Sequence, residues 1–347
     1  MWTSGDRNHR ADRNSGAAAE GAAQKSRALQ LEGSTTGDRE QNLLDAITLF
    51  EKASKNFEIA GAAWDEQRAG CLLEAANCLQ DLPVAPEPNT QHARVYLEQA
   101  MGIYETRGDQ RDWALAAAEL ARCIIAGHSQ PSAEDRATSA ALLRRILPHQ
   151  TLQLDPAGRA NSLYLLAIAL TTKADTYTSA EADEAFLLLL DARKLWTLVA
   201  APEAWAEAAN VMAQIALQCL STEDNDNLDV TIAVLRDTVA EPSVQRLAPI
   251  SHIRVLMKCS LLLLARARLR GQEVDFLAAR ESARTAHHEI DALRSHGETA
   301  TWNSVAGSSW SVHTANLANL SSEVRDLETL LANFKSSNRT GDDSAGS

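Results

Sequence analysis

"AITLFEKASKNFEIAGAAWDEQRAGCLLEAANCL", residues Ala46 to Leu79, decides the fold. Ala46 and Ala53 stand seven apart, two turns along one face of a helix. Gly61 interrupts the pattern, Trp64 follows, and apolar residues resume at helical spacing. The stretch reads as two helices joined by a short turn. Alanine belongs where two helices cross closely and a larger side chain would hold them apart; leucine and phenylalanine fill the space beside the crossing. One such hairpin cannot bury its apolar face alone, but a stack of them can.

The alanine pair recurs. Ala93 and Ala100, Ala185 and Ala192, Ala233 and Ala240, and Ala279 and Ala286 repeat it, and a sixth copy keeps Ala141 but has Pro148 at its second position. The first alanines are spaced 47, 48, 44, 48 and 46 residues apart. A second helix fits between each pair, marked by Leu120-Ala121, Leu166-Ala167, Met212-Ala213 and Leu264-Ala265, with Trp64, Trp113, Trp205 and Trp302 at helix starts. Polar, Gly- and Pro-containing stretches such as "GDQRD", "LDPAG" and "AEPSV" punctuate the helices, and Pro156 and Pro202 suit a first helical turn. No alternating strand pattern appears. The expected fold is all-α: a right-handed superhelical solenoid of about five to six hairpins with a long C-terminal capping helix.

The chain has 347 residues, 45% hydrophobic, 23% charged and only 5% aromatic, with a formal charge of −13. An acidic protein is a poor general binder of nucleic acid or anionic membrane, so neither is expected as a partner. The start has no signal-type apolar core, and "CSLLLLARA" is too short to span a bilayer, so a cytoplasmic setting is expected. There Cys71, Cys78, Cys123, Cys219 and Cys259 serve as small buried hydrophobes.

"ARVYLEQAMGIYETRGD" (Ala93 to Asp109) resembles the second helix and turn of a tetratricopeptide-type repeat; "QRDWALAAAELARCI" and "PEAWAEAANVMAQIAL" resemble the next first helix. The proline or aspartate just before "WA" is similar to the long repeats that accompany CHAT peptidases in bacteria. "LFEKASKNFEIAGAAWDEQRAGCLLEAANCL" separately resembles the repeats of SNAP-type adaptors. The resemblance runs from about Gln41 to His296. It implies a protein-interaction scaffold, or else a regulatory or sensor subunit of a bacterial, defence-type system beside a CHAT-like peptidase or an ATPase. The period exceeds the usual tetratricopeptide length, so no peptide-clamp residues carry over.

Motifs of catalysis are absent. There is no GxxxxGK[ST] loop, no GxGxxG after a strand, no CxxC and no HExxH. The adjacent His287 and His288 point in different directions on a helix, which suits a solvated face better than a metal site. "EDNDNLD" fails as a calcium loop because ligand positions fall on Leu228 and Leu235; it reads as a polar turn capping the next helix. No catalytic residue, cofactor or metal site is expected, and an enzyme built on an α-solenoid is the least favoured class.

Two features stand out as sites. From Arg246 to Arg270 the chain carries six basic residues and no acid. Arg254 with Lys258, and Arg266 with Arg270, are neighbours one helical turn apart. These four either anchor an acidic peptide or partner segment, or pair internally with acids such as Asp229, Glu273 and Asp275. The second feature is a heptad seam through Ala306, Trp310, His313, Leu317, Leu320, Val324, Leu327, Leu331 and Phe334. It either caps the last hairpin or mediates self-association. The resulting layout is a mostly disordered tail at 1–37 with a weak helix from Ala17 to Leu31, a solenoid at 38–299, an amphipathic helix at 300–335 and a flexible tail at 336–347.

Overall fold

The computed structural model describes residues 4–34, 36–82, 86–126, 131–150, 155–171, 178–196, 201–220, 226–297 and 318–333. All regular elements among them are helical, with no strand. They fall into two compact units. The first, Met1–Tyr177, holds α1 (Ser4–Glu32), α2 (Arg39–Ala60), α3 (Asp65–Asp81), α4 (Pro86–Arg107), α5 (Gln110–Ala126), α6 (Ala133–Ile146) and α7 (Pro156–Thr171). The second, Thr178–Ser347, holds α8 (Ser179–Leu195), α9 (Pro202–Cys219), α10 (Asp226–Val239), the short α11 (Pro242–Leu247), α12 (Pro249–Arg270) and α13 (Glu273–Gly297), followed by α14 at 318–333. Within each unit, helices pack mainly against their neighbours in sequence, as a stack of hairpins requires.

Local chemistry sets the helix ends. The Asp38 carboxylate accepts from the Glu40 and Gln41 backbone N–H groups at the start of α2. Ser132 with Asp135, and Thr178 with Glu181, form reciprocal capping boxes on α6 and α8. Pro242 and Pro249 occupy first turns, where a missing N–H costs nothing. Gly271, at φ 66°, closes α12 in the left-handed conformation and donates its N–H to the Ala267 carbonyl.

The repeat is more regular in space than the alanines alone suggest. In α6 and α10 the crossing positions are not Ala141, Ala233 and Ala240, which are exposed. They are Ser139 with Ile146, and Thr231 with Thr238. With this correction the first crossing residues are Ala46, Ala93, Ser139, Ala185, Thr231 and Ala279, each 0% exposed and spaced 47, 46, 46, 46 and 48. The intervening helices keep register too. Cys71, Ala117, Leu163, Ala209 and Val255 are all buried at intervals of 46, and so are Cys78, Ile124, Leu170, Ala216 and Leu262. The marker expected at Leu264-Ala265 belongs at Cys259, 46 residues after Ala213.

The N-terminal segment expected as a tail with a weak helix carries the full length of α1, which packs on α2. Gly21 and Ala28, again seven apart, are buried there. A Cβ on Gly21 would lie 3.1 Å from the Phe57 ring, so the close approach depends on glycine. Asn56 of α2 donates to Gln24 of α1 at 2.9 Å.

At the other end, Leu320, Val324, Leu327 and Leu331 of α14 are buried in one core with α12 and α13 residues such as Leu263, Phe276 and Ile290. His287 of α13 and Glu328 of α14 pair at 3.1 Å. The remaining seam residues, Ala306, Trp310, His313, Leu317 and Phe334, lie outside the described residues, as do Trp302 and the tail from 336.

Candidate functional site

Of the tryptophans expected at helix starts, Trp64 and Trp205 act as packing residues there. Trp64, just ahead of α3, stacks on Phe57 with centroids 5.6 Å apart. Trp205, in the first turn of α9, carries the Arg193 guanidinium 3.5 Å over its ring. Arg193 also donates to the Thr238 hydroxyl at 3.1 Å and to the Trp205 carbonyl, so one buried cation ties α8, α9 and α10 together. Burial lowers its pKa to about 10, which still leaves it charged at neutral pH.

Four of the five cysteines are core residues, while Cys219, at the end of α9, is only partly buried. Cys71, Cys78, Cys123 and Cys259 are buried. Burial pushes the Cys71, Cys123 and Cys259 thiols up to about 11 and Cys78 to about 12. Each is therefore a neutral thiol at physiological pH, with little nucleophilic or metal-binding character. Among the described residues, no group of three or more His, Cys, Asp or Glu side chains is placed to hold a metal ion. Nor is any helix among them long and apolar enough to cross a membrane.

The four basic residues singled out from the sequence share α12 but divide into two pairs. Near its C-terminus, Arg266 donates to both oxygens of Asp275, at 2.7 and 2.6 Å, and to Asp229 at 2.8 Å. Arg270 joins Asp229 at 2.9 Å. These two guanidiniums are engaged within the chain, and they hold the Asp229 carboxyl below its ordinary range.

Arg254 and Lys258 lie elsewhere, on a face shared by α9 and α12. Glu207, Asn210 and Gln214 of α9 recur three and four residues apart, about 100° round the helix from the buried stripe of Ala206, Ala209 and Ala213. Ser251, Arg254 and Lys258 follow the same spacing on α12. Glu207 Oε1 accepts from the Ser251 hydroxyl at 2.7 Å, and from Arg254 and the Asn210 amide at 3.4 Å each. Lys258 donates to Gln214 at 2.8 Å. Burial lowers the Lys258 pKa, with Glu323 of α14 opposing the effect. The ammonium is thus partly desolvated between polar groups of α9 and α14.

One group of this face is open to a ligand. Arg254 keeps a 42% exposed side chain and, among the described residues, a single long contact to Glu207. Asn210 is 8% exposed and its Oδ1 accepts no hydrogen bond among the described residues, but that oxygen is closed to solvent, so its missing donor is a local cost of packing. The basic residues were visible in the sequence as a charge run. Asn210 and Glu207 were not, because nothing in a single alanine-rich helix marks which amide will lie beside a guanidinium from the next repeat.

Among solved structures, the chain matches a Rap protein complexed with competence and sporulation factor, with 11% identity, a TM-score of 0.45, and 90% of this chain and 76% of that one covered. It also matches a de novo designed helical repeat protein, at 16% identity and a TM-score of 0.14, covering 84% of this chain and 99% of that one. No protein-family model and no curated protein matches it.

Proposed function

We propose that this helical repeat chain is a non-catalytic interaction scaffold, tetratricopeptide-like in character, and that the α9–α12 face receives an acidic segment of a partner protein. The observation that carries the reading is the half-exposed Arg254 guanidinium, held only loosely at 3.4 Å from Glu207, one helical turn from the partly desolvated Lys258. The Arg254 guanidinium and the Lys258 ammonium pair with a carboxylate on the incoming segment, a charge-assisted contact strengthened by the partial burial of Lys258. The formal charge of −13 disfavours non-specific binding of an acidic segment, so a local basic pair adds selectivity.

Display selection from a random peptide library tests this. Peptides enriched on the wild-type protein should carry acidic residues and should be lost on an Arg254→Glu/Lys258→Glu variant. Enriched peptides with no acidic bias, or peptides retained by the variant, would overturn the reading.

A further inference from the structure

In the first unit, a recess of about 180 Å³ opens where the turn between α4 and α5 meets the end of α6. Its walls include Tyr104, Glu105, Asp109, Trp113, Arg145 and His149. Trp113 forms one wall, with His149 edge-on to it at 6.0 Å. The Arg145 guanidinium lies 4.5 Å over the Trp113 ring and pairs with Glu105 at 3.0 Å.

Trp205 offers a useful contrast. There the cation over the ring is Arg193, only 8% exposed and bonded to two further groups. Arg145 instead has a 61% exposed side chain, and its Glu105 partner is 64% exposed. An exposed ion pair of this kind contributes little and rearranges easily. Trp113 itself is only 5% exposed, so its outer face is covered largely by a weakly held, exposed arginine.

The surrounding groups favour positive charge. Glu105 and Asp109 line the recess. Asp112 lies close by, and burial followed by the neighbouring Asp109 raises its pKa, the mark of carboxylates crowded without full neutralisation. Tyr104 is 3% exposed, lines the same recess, and its hydroxyl has no hydrogen-bond partner among the described residues. An aromatic wall, a free phenol oxygen and nearby carboxylates together form a receptor for a cation.

We infer that the Trp113 recess binds a guanidinium or ammonium group from outside the chain, which takes the place that Arg145 occupies over the ring. The ligand class is an arginine-type amine, either free or as the side chain of a partner segment. The inference does not depend on the α9–α12 face, which lies in the other unit.

Calorimetric titration with agmatine and with the peptide Gly-Arg-Gly tests it. Arg145→Ala should bind agmatine at least ~10-fold more tightly than wild type, because the internal competitor is removed. Adding Glu105→Gln and Asp109→Asn should abolish that gain; asparagine preserves the cap that Asp109 gives to α5. Equal affinity for the two probes identifies a free-amine site, and tighter binding of Gly-Arg-Gly identifies a side-chain site; both uphold the inference. The same titrations on Arg145→Gln guard against a fold defect in the alanine variant. Unchanged agmatine affinity in both Arg145 variants, or binding of succinate by wild type in place of agmatine, overturns the inference.

Discussion

Replacing Ala185 by leucine puts the hairpin geometry to a sharp test. Ala185 is 0% exposed on α8 and occupies the repeat position shared with Ala46, Ala93, Ser139, Thr231 and Ala279. An isobutyl group there has no free volume to enter, so the helices must separate or the side chain must leave its rotamer. Overpacking of this kind costs about 1–3 kcal/mol. For a unit of this size each kcal/mol lowers the melting temperature by about 2–4 °C, so a fall of roughly 2–12 °C is expected. Ala233→Leu is the matched control, because Ala233 sits in the same sequence motif but is exposed. It should stay within about 0.5 kcal/mol of wild type. Urea unfolding followed by circular dichroism measures both, and an unchanged slope shows that stability alone has moved. A neutral Ala185→Leu, or an equal loss in Ala233→Leu, would refute this register of helix crossings.

Further outcomes follow from the second unit. His252 places its Nδ1 2.8 Å from Glu289 and its Nε2 3.2 Å from the Val239 carbonyl; both partners are acceptors, so only the doubly protonated ring satisfies both. Burial pushes its pKa down, but these two bonds outweigh burial and hold it above 6.5. The pair's stabilisation is therefore complete below pH about 6.5 and is lost as pH rises through the folded-state pKa; melting temperature should fall from pH 6 to 8.5, and His252→Asn should flatten that fall. Asp275→Ala leaves the 14% exposed Arg266 without its bidentate partner and should cost about 3–5 kcal/mol in urea unfolding, whereas Asp229→Asn, at an exposed acid, should cost far less. Deleting residues from 318 onward removes four buried apolar side chains of α14, each worth about 1.5–3 kcal/mol, so the shortened protein should melt earlier and aggregate; a stable, soluble monomer would show that α14 is no cap.

The architecture was legible because alanine pairs at Ala46, Ala93, Ala185 and Ala279 mark true helix crossings. Thr231, Thr238 and Ser139 escaped notice because a hydroxyl reads as polar. Each satisfies that hydroxyl on a nearby carbonyl, Asn227, Val234 and Ala121 respectively, and can then be buried like alanine. The Gly21 and Ala28 face of α1 was hidden for a related reason: its flanking residues are charged or small, and only the contact with Phe57 gives the glycine meaning. The basic run on α12 was equally plain in sequence. Its division into paired and available cations was not, since Asp229 and Glu207 come from helices 37 and 47 residues away.

Lysine labelling gives the most direct reading of where a partner sits. An amine-reactive reagent followed by mass spectrometry reports the modification rate of Lys258 against Lys25, Lys52, Lys55 and Lys194, with and without a selected acidic peptide. Lys258, which lies between Gln214 and Glu323, should be protected by the peptide, while the other lysines keep their rates. Peptide binding that leaves the Lys258 rate unchanged would place the partner elsewhere and contradict the assignment of the α9–α12 face.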